Sequence, residues 1–307
     1  MKRALFVIAA LAISLLLAAP VSARTQVFVV DDDLANCPSA DFNTIQAAVA
    51  AAMPGDKILV CAGTYHHEVA ITKNDLTITA KDAPDSVVLD GDGDHAGFEL
   101  DSVTGVTIEG FLVRHAHEAD ILLRTSNENT IRGNRTTMAG HDGIELVNSA
   151  RNLIEHNVSF DNAAVNACGI QITGAGSVDN LVRHNVVMNN EWGIQIDRAA
   201  GRTIVFHNEA RGNRGNGIRN IRGASNTVIE DNRAFDNGLT PGALTDGTNA
   251  GIRIGSGTGI TVARNHAFGN LAVDLRAEVT TATFENNHCD TSLLQPDLCA
   301  HDEGEGH

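Results

Sequence analysis

The chain has 307 residues and is strongly acidic: 22 Lys and Arg side chains stand against 38 Asp and Glu side chains, for a formal net charge of −16 at pH 7. This charge excludes nucleic acid as an expected partner, because a negative protein and a phosphate backbone repel each other. It also disfavours polyanionic glycans unless a local basic patch or a bridging cation intervenes.

The first predicted element is a targeting segment. Lys2 and Arg3 form a basic start, residues 6–19 (FVIAALAISLLLAA) an apolar run, and residues 21–23 (VSA) a small-residue cleavage site. This pattern predicts a secretory signal peptide over residues 1–23 and a secreted or periplasmic protein. Its removal takes away two positive charges, which moves the net charge from −16 to −18. An uncleaved anchor is the alternative, but the run is short for a membrane span, and we expect no span elsewhere.

A capping helix is predicted next, over about residues 43–53. Asn43 can act as its N-cap behind Phe42, and Pro54 and Gly55 end it. Helical spacing predicts one apolar face, which should close the open end of the first coil. That face consists of Ile45, Ala48, Val49, Ala52 and Met53.

A repeated phrase runs through the second half of the chain, and the predicted coils extend over about residues 57–288. It reads Asn-x-Ile/Val-x-x-Asn-x-x-x-x-Asn and leads through a Gly-Ile step into a short apolar and polar alternation. Two copies are NTIRGNRTTMAGHDGIELV at 129–147 and NLVRHNVVMNNEWGIQID at 180–197. The common step is about 23 residues, with extra residues in two coils. The middle Asn of the phrase falls at Asn134, Asn157, Asn185, Asn208, Asn232, Asn265 and Asn286.

A fixed period of this length predicts a solenoid. Each repeat holds strand-length alternations and no helix-length apolar stripe, so the fold class is all-β, a parallel β-helix. Asn tolerates left-handed turn geometry, and stacked Asn side chains can bond to each other in a ladder. A plain series of turn Asn residues would give the same fold.

The repeats resemble those of the pectin lyase-like superfamily, whose members are right-handed parallel β-helices. Residues 42–80 are also similar to the opening segment of that superfamily, with a capping helix, a Pro-Gly-Asp turn, a strand and Gly-Thr-Tyr before the first coil. The resemblance implies one domain over 24–290 and leaves a polar tail at 291–307. It says little about function, because this scaffold carries lyases, hydrolases, epimerases, adhesins and accessory proteins.

The catalytic signatures of the superfamily are missing from the chain. There is no Asn-Thr-Asp or Gly-His-Gly of polygalacturonase-like hydrolases and no Asp-Pro-His of alginate epimerase-like members; residues 141–143 (HDG) are the nearest text. Related lyases place their bases without a fixed motif. Whether the protein is an enzyme therefore stays open, with a polysaccharide lyase, an epimerase and a glycoside hydrolase as the enzyme classes.

A polar stripe is predicted on one outer face of the solenoid. Strand side chains alternate, so Ile144 and Leu146 point inward and Glu145 points outward. The same register on the following coils places one outward column at Gln171, Gln195, Arg219, Arg253 and Asp274. The next outward column is Arg124, Val147, Thr173, Asp197 and Arg276.

This stripe is the predicted glycan site. Glu145 with Asp142 or Asp197 can supply an acid and a base for catalysis. Trp192, the only Trp of the chain, is predicted to stack on a sugar ring. Guanidinium groups suit carboxylate recognition, so the Arg residues can receive a uronic acid. The predicted substrate-binding set is Gln171, Trp192, Gln195, Arg219, Arg253, Asp274 and Arg276.

Two functions from different classes remain open. The first is a secreted monomer that binds an acidic polysaccharide or another extracellular glycan along this face and, as an enzyme, cleaves or epimerises it. The second is a non-catalytic extracellular or envelope scaffold or adhesion module whose stripe is merely solvated. Insertions near 163–167 and at 239–249 are predicted to form loops along one rim of the stripe, where binding residues often lie.

A calcium site is one candidate for metal binding, although no cofactor is firmly predicted. Asp90, Asp92 and Asp94 resemble the start of a calcium loop. The sixth and twelfth positions are His95 and Asp101 rather than Gly and Glu, and a polar turn explains the pattern as well.

A histidine column is the second metal candidate. His156, His184 and His207 each precede a ladder Asn on consecutive coils, so their rings should stack about 4.8 Å apart. Neutral stacked imidazoles and a transition-metal site are both open.

The five cysteines are distributed mostly at the two ends of the solenoid. Four cysteines allow three pairings, but the ends of a long solenoid are far apart. The sequence therefore favours the disulfides Cys37–Cys61 and Cys289–Cys299, which export permits. Cys168 is left over and is predicted to be a small packed residue.

Overall fold

The protein forms a parallel β-helix of three sheets in a computed structural model that describes residues 25–162, 164–238, 249–279, 281–293 and 298–299. The predicted signal peptide and most of the predicted tail lie outside these ranges. Every strand pair is parallel, and each sheet takes its strands in chain order. The all-β prediction is therefore confirmed.

The strands of the three sheets follow one another around each coil. Sheet 1 consists of Val27–Val30, Lys57–Val60, Thr77–Ala80, Thr107–Glu109, Thr130–Arg132, Leu153–Glu155, Leu181–Arg183, Ile204–Phe206, Val228–Glu230, Thr261–Ala263 and Thr283–Glu285. Sheet 2 consists of Gly63–His66, Val87–Asp90, Leu112–Arg114, Arg135–Thr137, Val158–Phe160, Val186–Met188, Glu209–Arg211, Arg233–Phe235, His266–Phe268 and His288–Cys289. Sheet 3 consists of Val69–Ile71, Ala96–Asp101, Ala119–Arg124, Asp142–Val147, Cys168–Thr173, Trp192–Asp197, Ile218–Asn220, Ile252–Ile254, Leu275–Ala277 and Ser292–Leu293. A 3₁₀ turn spans Pro84–Ser86.

The capping helix spans Ile45–Ala51, and its N-cap differs from the prediction. Thr44, rather than Asn43, accepts a hydrogen bond from the backbone N–H of Ala47, at 3.2 Å. Ile45, Ala48, Val49 and Ala52 are buried as predicted. Met53 is 71% exposed, because the helix has ended before it and no longer fixes its direction.

Asn ladders run along the solenoid, and this prediction is confirmed. Asn185 shows the pattern: its Oδ1 accepts from the N–H and the Nδ2 of Asn157, and its Nδ2 donates to Asn208 Oδ1 and to the Ile154 carbonyl. Buried polar turns are thereby satisfied between coils. The complete middle ladder is Asn134, Asn157, Asn185, Asn208, Asn232, Asn265 and Asn287.

The last rung of this ladder is Asn287, so the prediction of Asn286 is wrong. The physical reason is that the left-handed residue of each turn precedes the ladder Asn. Asn286 has a φ of 52°, like His156 at 56° and His184 at 54°. Two further ladders flank the middle one: Asn129, Asn152 and Asn180, and Asn162, Asn190, Asn213, Asn237 and Asn270.

Both predicted disulfides are present. Cys37 pairs with Cys61, and Cys289 pairs with Cys299. Cys168 is a free, fully buried thiol. The first disulfide joins the segment before the capping helix to the residue after the strand Lys57–Val60, at the end of the solenoid where an exposed coil edge needs protection.

Thiol titration of the denatured, unreduced protein is expected to find one reactive thiol per chain. Replacing Cys37 and Cys61 together with Ser should lower the free energy of unfolding by about 2–4 kcal/mol, because the disulfide restricts the unfolded chain. Three or more thiols in the wild-type protein would contradict the assignment.

Candidate functional site

The outer face of sheet 3 carries the predicted stripe, in the predicted register over most of its length. Leu122 pairs with Glu145, and the column continues strand by strand. Neighbouring positions in a parallel sheet are about 4.8 Å apart, so these side chains touch in sequence. The column is Glu145, Gln171, Gln195, Arg219, Arg253 and Arg276.

Asp274 does not belong to this column, so its predicted position is wrong. Arg253 pairs with Arg276 instead. The Asp274 carboxylate is 2% exposed and accepts hydrogen bonds from Asn270 Nδ2 at 2.8 Å and Thr291 Oγ1 at 2.8 Å. It ends an Asn ladder with a carboxylate in place of an amide. Its role is structural, and Arg276 moves from the second predicted column to the first.

The first three residues of the stripe are joined by hydrogen bonds rather than separately solvated. Gln171 Nε2 donates to Glu145 Oε1 at 3.2 Å, and Gln195 Nε2 donates to Gln171 Oε1 at 2.7 Å. Gln195 Nε2 also donates to Asp197 Oδ2 at 3.1 Å. The Glu145, Gln171 and Gln195 side chains cover one another and are no more than 6% exposed. A row of this kind holds its polar atoms in fixed positions.

An acidic cluster lies at the amino-terminal end of the row. Burial, followed by the charges of Asp142 and Glu118, raises the pKa of Glu145 to about 7. His141 Nδ1 lies 3.0 Å from Asp142 Oδ2, and this contact raises the pKa of His141 to about 9. Asp142 is fully buried and accepts the backbone N–H of Cys168 at 2.6 Å. Glu145 can therefore exchange a proton near neutral pH, whereas Asp142 orients its neighbours.

The stability of the protein should report this pKa. The folded-state pKa of Glu145 is raised from 4.5 to about 7, so folding favours the protonated form. The free energy of unfolding should therefore fall as pH rises from about 4.5 to about 7. Glu145→Gln should remove this loss. Relative to the wild type, the variant should therefore be more stable at pH 8 than at pH 5, by on the order of 1–2 kcal/mol in the free energy of unfolding. Urea unfolding at both pH values measures it, and an equal effect at both would contradict it.

A cavity of about 400 Å³ opens at the other end of the row. The guanidinium of Arg219 lies over the Trp192 ring, 3.2 Å from the ring centre, and both residues are buried. A cation over an aromatic face is favourable, but it covers the face that we predicted for a sugar ring. The prediction that a sugar ring stacks on that face of Trp192 is therefore wrong. The cavity is lined by Asn166, Trp192, Asn216, Arg219, Ile221, Arg222, Asn249, Arg253, Gly255 and Ser256.

Several buried polar atoms near this cavity lack hydrogen-bond partners. Nε and Nη2 of Arg219 have none, although the residue is only 5% exposed. Burial lowers the pKa of Arg219 to about 10, which still leaves it cationic at neutral pH. Oδ1 of Asp197, Oε1 of Gln195 and Oε1 of Glu191 also lack partners. Unpaired buried groups are costly, so this arrangement favours a polar ligand or ordered water.

The other two Arg residues of the column already contact a carboxylate. Arg253 Nε lies 3.1 Å from Glu278 Oε1, and Arg276 Nε lies 2.8 Å from the same oxygen. Asp197 Oδ2 similarly accepts from Arg222 Nη1 at 3.0 Å. Among the predicted Arg residues, Arg219 is therefore the one whose unpaired N–H groups suit an external carboxylate.

The carboxylates of the predicted calcium loop contact neighbouring side chains and backbone groups. Asp90 accepts from Arg114 Nε at 2.8 Å, and Asp92 Oδ2 lies 2.8 Å from His66 Nδ1. Asp94 accepts the backbone N–H of Glu68 at 3.1 Å. His67 Nδ1 lies near both Asp92 and Asp94, at 3.9 and 3.3 Å. Among the described residues the three carboxylates do not form a group of ligand atoms within 4.8 Å of one another, so the predicted calcium loop lacks converging ligands.

The histidine column stacks as predicted only between its first two rings. The ring centres of His156 and His184 are 5.0 Å apart, with planes 5° from parallel. The His207 ring is 5.2 Å from His184 but tilted by 55°, and it stacks on Phe206 at 3.8 Å instead. Burial, and then the neighbouring imidazoles, lower the pKa of His184. Stacked faces direct the ring nitrogens side by side, which favours the interpretation as neutral stacked rings.

None of the helices in the described ranges combines the length and the apolar character needed to cross a membrane.

Comparison with known families decides the classification. The model of the right-handed beta helix region matches residues 71–234, more than half of the chain. The chain belongs to this family. The right-handed parallel β-helix inferred from the repeats is thus confirmed. No curated protein matches the chain at a significant level.

Solved structures share the β-helix at low sequence identity. Pectate lyase Pel9A has a TM-score of 0.58 at 16% identity, covering 91% of this chain and 82% of its own. The alginate lyase from Paenibacillus sp. str. FPU-7 has 0.53 at 15%, with 87% and 95% covered. The periplasmic alginate epimerase AlgG has 0.54 at 14%, with 82% and 83% covered. These likenesses establish the fold of this β-helix family member.

Sequence reasoning missed two residues of the site. Asn216 lies two residues before the strand Ile218–Asn220, outside the counted outward columns. Glu278 follows the last Arg of the column and lies outside the repeated phrase. The contribution of these residues to the site depends on contacts between coils. The alternation of side chains within one strand does not predict such contacts.

Proposed function

We propose that the protein binds an acidic polysaccharide along the outer face of sheet 3 and that the Arg219 cavity receives a carboxylate of this chain. The similar solved structures include a pectate lyase, an alginate lyase and an alginate epimerase, whose names refer to acidic glycans. The β-helix presents a straight row of fixed polar groups, which suits an extended polymer.

The observation that carries this proposal is the state of Arg219. A buried guanidinium with two unpaired nitrogen atoms is a preformed pair of hydrogen-bond donors for a planar anion. Carboxylate oxygens of Asp197 and Glu191 and the amide oxygen of Gln195 lie unpaired near it and can accept hydrogen bonds from sugar hydroxyls. An acidic sugar supplies both kinds of group. A local cationic site of this type also overcomes the repulsion expected from the net charge.

We assign proton transfer to Glu145. Its pKa of about 7 suits a general base or acid at neutral pH. Three strand spacings, or roughly 14 Å, separate it from Arg219, so the two residues contact different sugars of one chain. Asp142 and Asp197 act in this scheme as positioning residues. Asp142 acts through its contact with His141, and Asp197 acts through its contacts with Arg222 and Gln195.

A panel of acidic and matched neutral oligosaccharides tests the proposal. The purified protein should bind acidic members in calorimetry and leave neutral ones unbound. Turnover is followed through unsaturated-product absorbance, reducing ends and uronate stereochemistry. Glu145→Gln should lower any turnover by about 10²–10⁴-fold while leaving binding nearly unchanged.

Each outcome of the panel decides between functions. Binding without turnover in the wild-type protein would support the scaffold or adhesion function and remove the role of Glu145. The absence of binding to every acidic member would overturn the glycan proposal itself. Secretion or periplasmic export, which agrees with two disulfides, is tested separately by sequencing the amino terminus of the mature protein.

A further inference from the structure

A second cluster of ligand-type side chains lies on the early coils of sheet 3. Glu68, His95 and Glu99 each offer one ligand atom, and these atoms all lie within 4.8 Å of one another. Glu99 is on the strand Ala96–Asp101, and the other two residues immediately precede their strands. Two adjacent coils thus bring together residues that are 31 positions apart at most in the sequence.

Backbone and side-chain contacts hold the cluster in place. Glu68 Oε2 accepts the backbone N–H of Ala96 at 3.2 Å. Glu99 Oε2 lies 3.9 Å from His95 Nδ1, and Glu99 Oε1 accepts from Arg124 Nε at 3.3 Å. Each carboxylate therefore has one oxygen fixed by a neighbour. This is the arrangement by which outer contacts orient metal ligands.

We propose that Glu68, His95 and Glu99 bind one divalent first-row transition-metal ion, for which Zn²⁺ is the probe. One imidazole nitrogen and two carboxylate oxygens form a donor set that suits Zn²⁺. Three protein ligands leave a coordination position open to water or to another molecule. Calcium prefers six to eight oxygen ligands and matches this set poorly.

The electrostatics of the cluster agree with a cation. The ligand oxygens of Glu68 and Glu99 lie within 4.8 Å of each other, beside the exposed His95. Two carboxylates this close repel each other, and a cation bound between them relieves the repulsion. The other His residues on these coils contact Asp rather than Glu side chains, such as His66 with Asp92 at 2.8 Å and His115 with Asp90 at 3.1 Å. Within the described part of the chain, this cluster is the group of three or more potential metal ligands that combines an exposed His with two partly exposed Glu residues.

Calorimetric titration of chelator-treated full-length protein with Zn²⁺ tests the site without any glycan. The wild-type protein should bind one high-affinity equivalent. Glu68→Gln and His95→Gln should each weaken that affinity by at least about tenfold, with unchanged melting temperature in the absence of metal. The matched controls His66→Gln and His156→Gln should bind as the wild type does. Ca²⁺ should not compete at equal concentration.

Two results would overturn the assignment. One is the absence of saturable Zn²⁺ binding by the wild-type protein. The other is wild-type affinity in both Glu68→Gln and His95→Gln, which would place the ion elsewhere. Because the titration contains no sugar, neither result bears on the proposed glycan binding.

Discussion

Arg219→Gln is expected to weaken binding of an acidic oligosaccharide by about 10–100-fold. The change removes the guanidinium whose Nε and Nη2 are unpaired at the cavity. Hydrogen bonds to a charged group are worth about 1.5–3 kcal/mol when they are desolvated, and this range corresponds to the expected loss. Isothermal titration calorimetry with an oligosaccharide that the wild-type protein binds measures the effect.

Two comparisons keep this prediction specific. Arg219→Lys retains the charge but not the planar pair of donors, so its affinity should lie between those of the wild type and Arg219→Gln. Arg211→Gln makes the same chemical change on the outer face of sheet 2, where Arg211 pairs with Glu209, and should leave affinity unchanged. Wild-type affinity in Arg219→Gln would refute the role of the cavity.

Asn185→Leu is expected to lower the free energy of unfolding by about 2–4 kcal/mol. The side chain makes four hydrogen bonds. Its loss removes the side-chain acceptor of the Asn157 N–H and one hydrogen bond each from Asn157 Nδ2, the Ile154 carbonyl and Asn208 Oδ1 in a buried turn. Each buried group left unpaired costs about 1–3 kcal/mol, partly relieved by rearrangement. Urea unfolding at pH 7 measures the change.

The same substitution at an exposed position provides the control. Asn43 lies outside the ladders, is exposed and does not cap the helix, so Asn43→Leu should change stability by no more than about 0.5 kcal/mol. Equal destabilisation by the two substitutions would remove the case for a structural ladder.

The coil repeat made most of the fold predictable. The Gly-Ile step fixes which residues of each strand point inward, and this places Glu145, Gln171, Gln195, Arg219 and Arg253 in one column. The register failed in the last coil because Gly-Ile is absent there. In residues 273–276 (VDLR) apolar and polar side chains alternate, so either Val273 or Leu275 could be the first inward residue of the strand. The structure aligns Leu275, rather than Val273, with Ile252.

The chemistry of the site was less predictable than its positions. Alternation says that a side chain points outward, but it does not say what then covers it. Gln171 and Gln195 lie along the row and bury Glu145, which raises its pKa. Similarly, Glu278 neutralises two Arg residues and leaves Arg219 as the group with unpaired donors. These differences arise from contacts between coils that have no counterpart within one repeat.

Tryptophan fluorescence offers the most direct test of the central claim. Trp192 is the only Trp in the chain and lies in the wall of the cavity, against Arg219. Titration with an acidic oligosaccharide should give a saturable change in emission, whereas the matched neutral oligosaccharide should give none. An acidic oligosaccharide that binds by calorimetry but leaves the emission unchanged would contradict binding at this cavity.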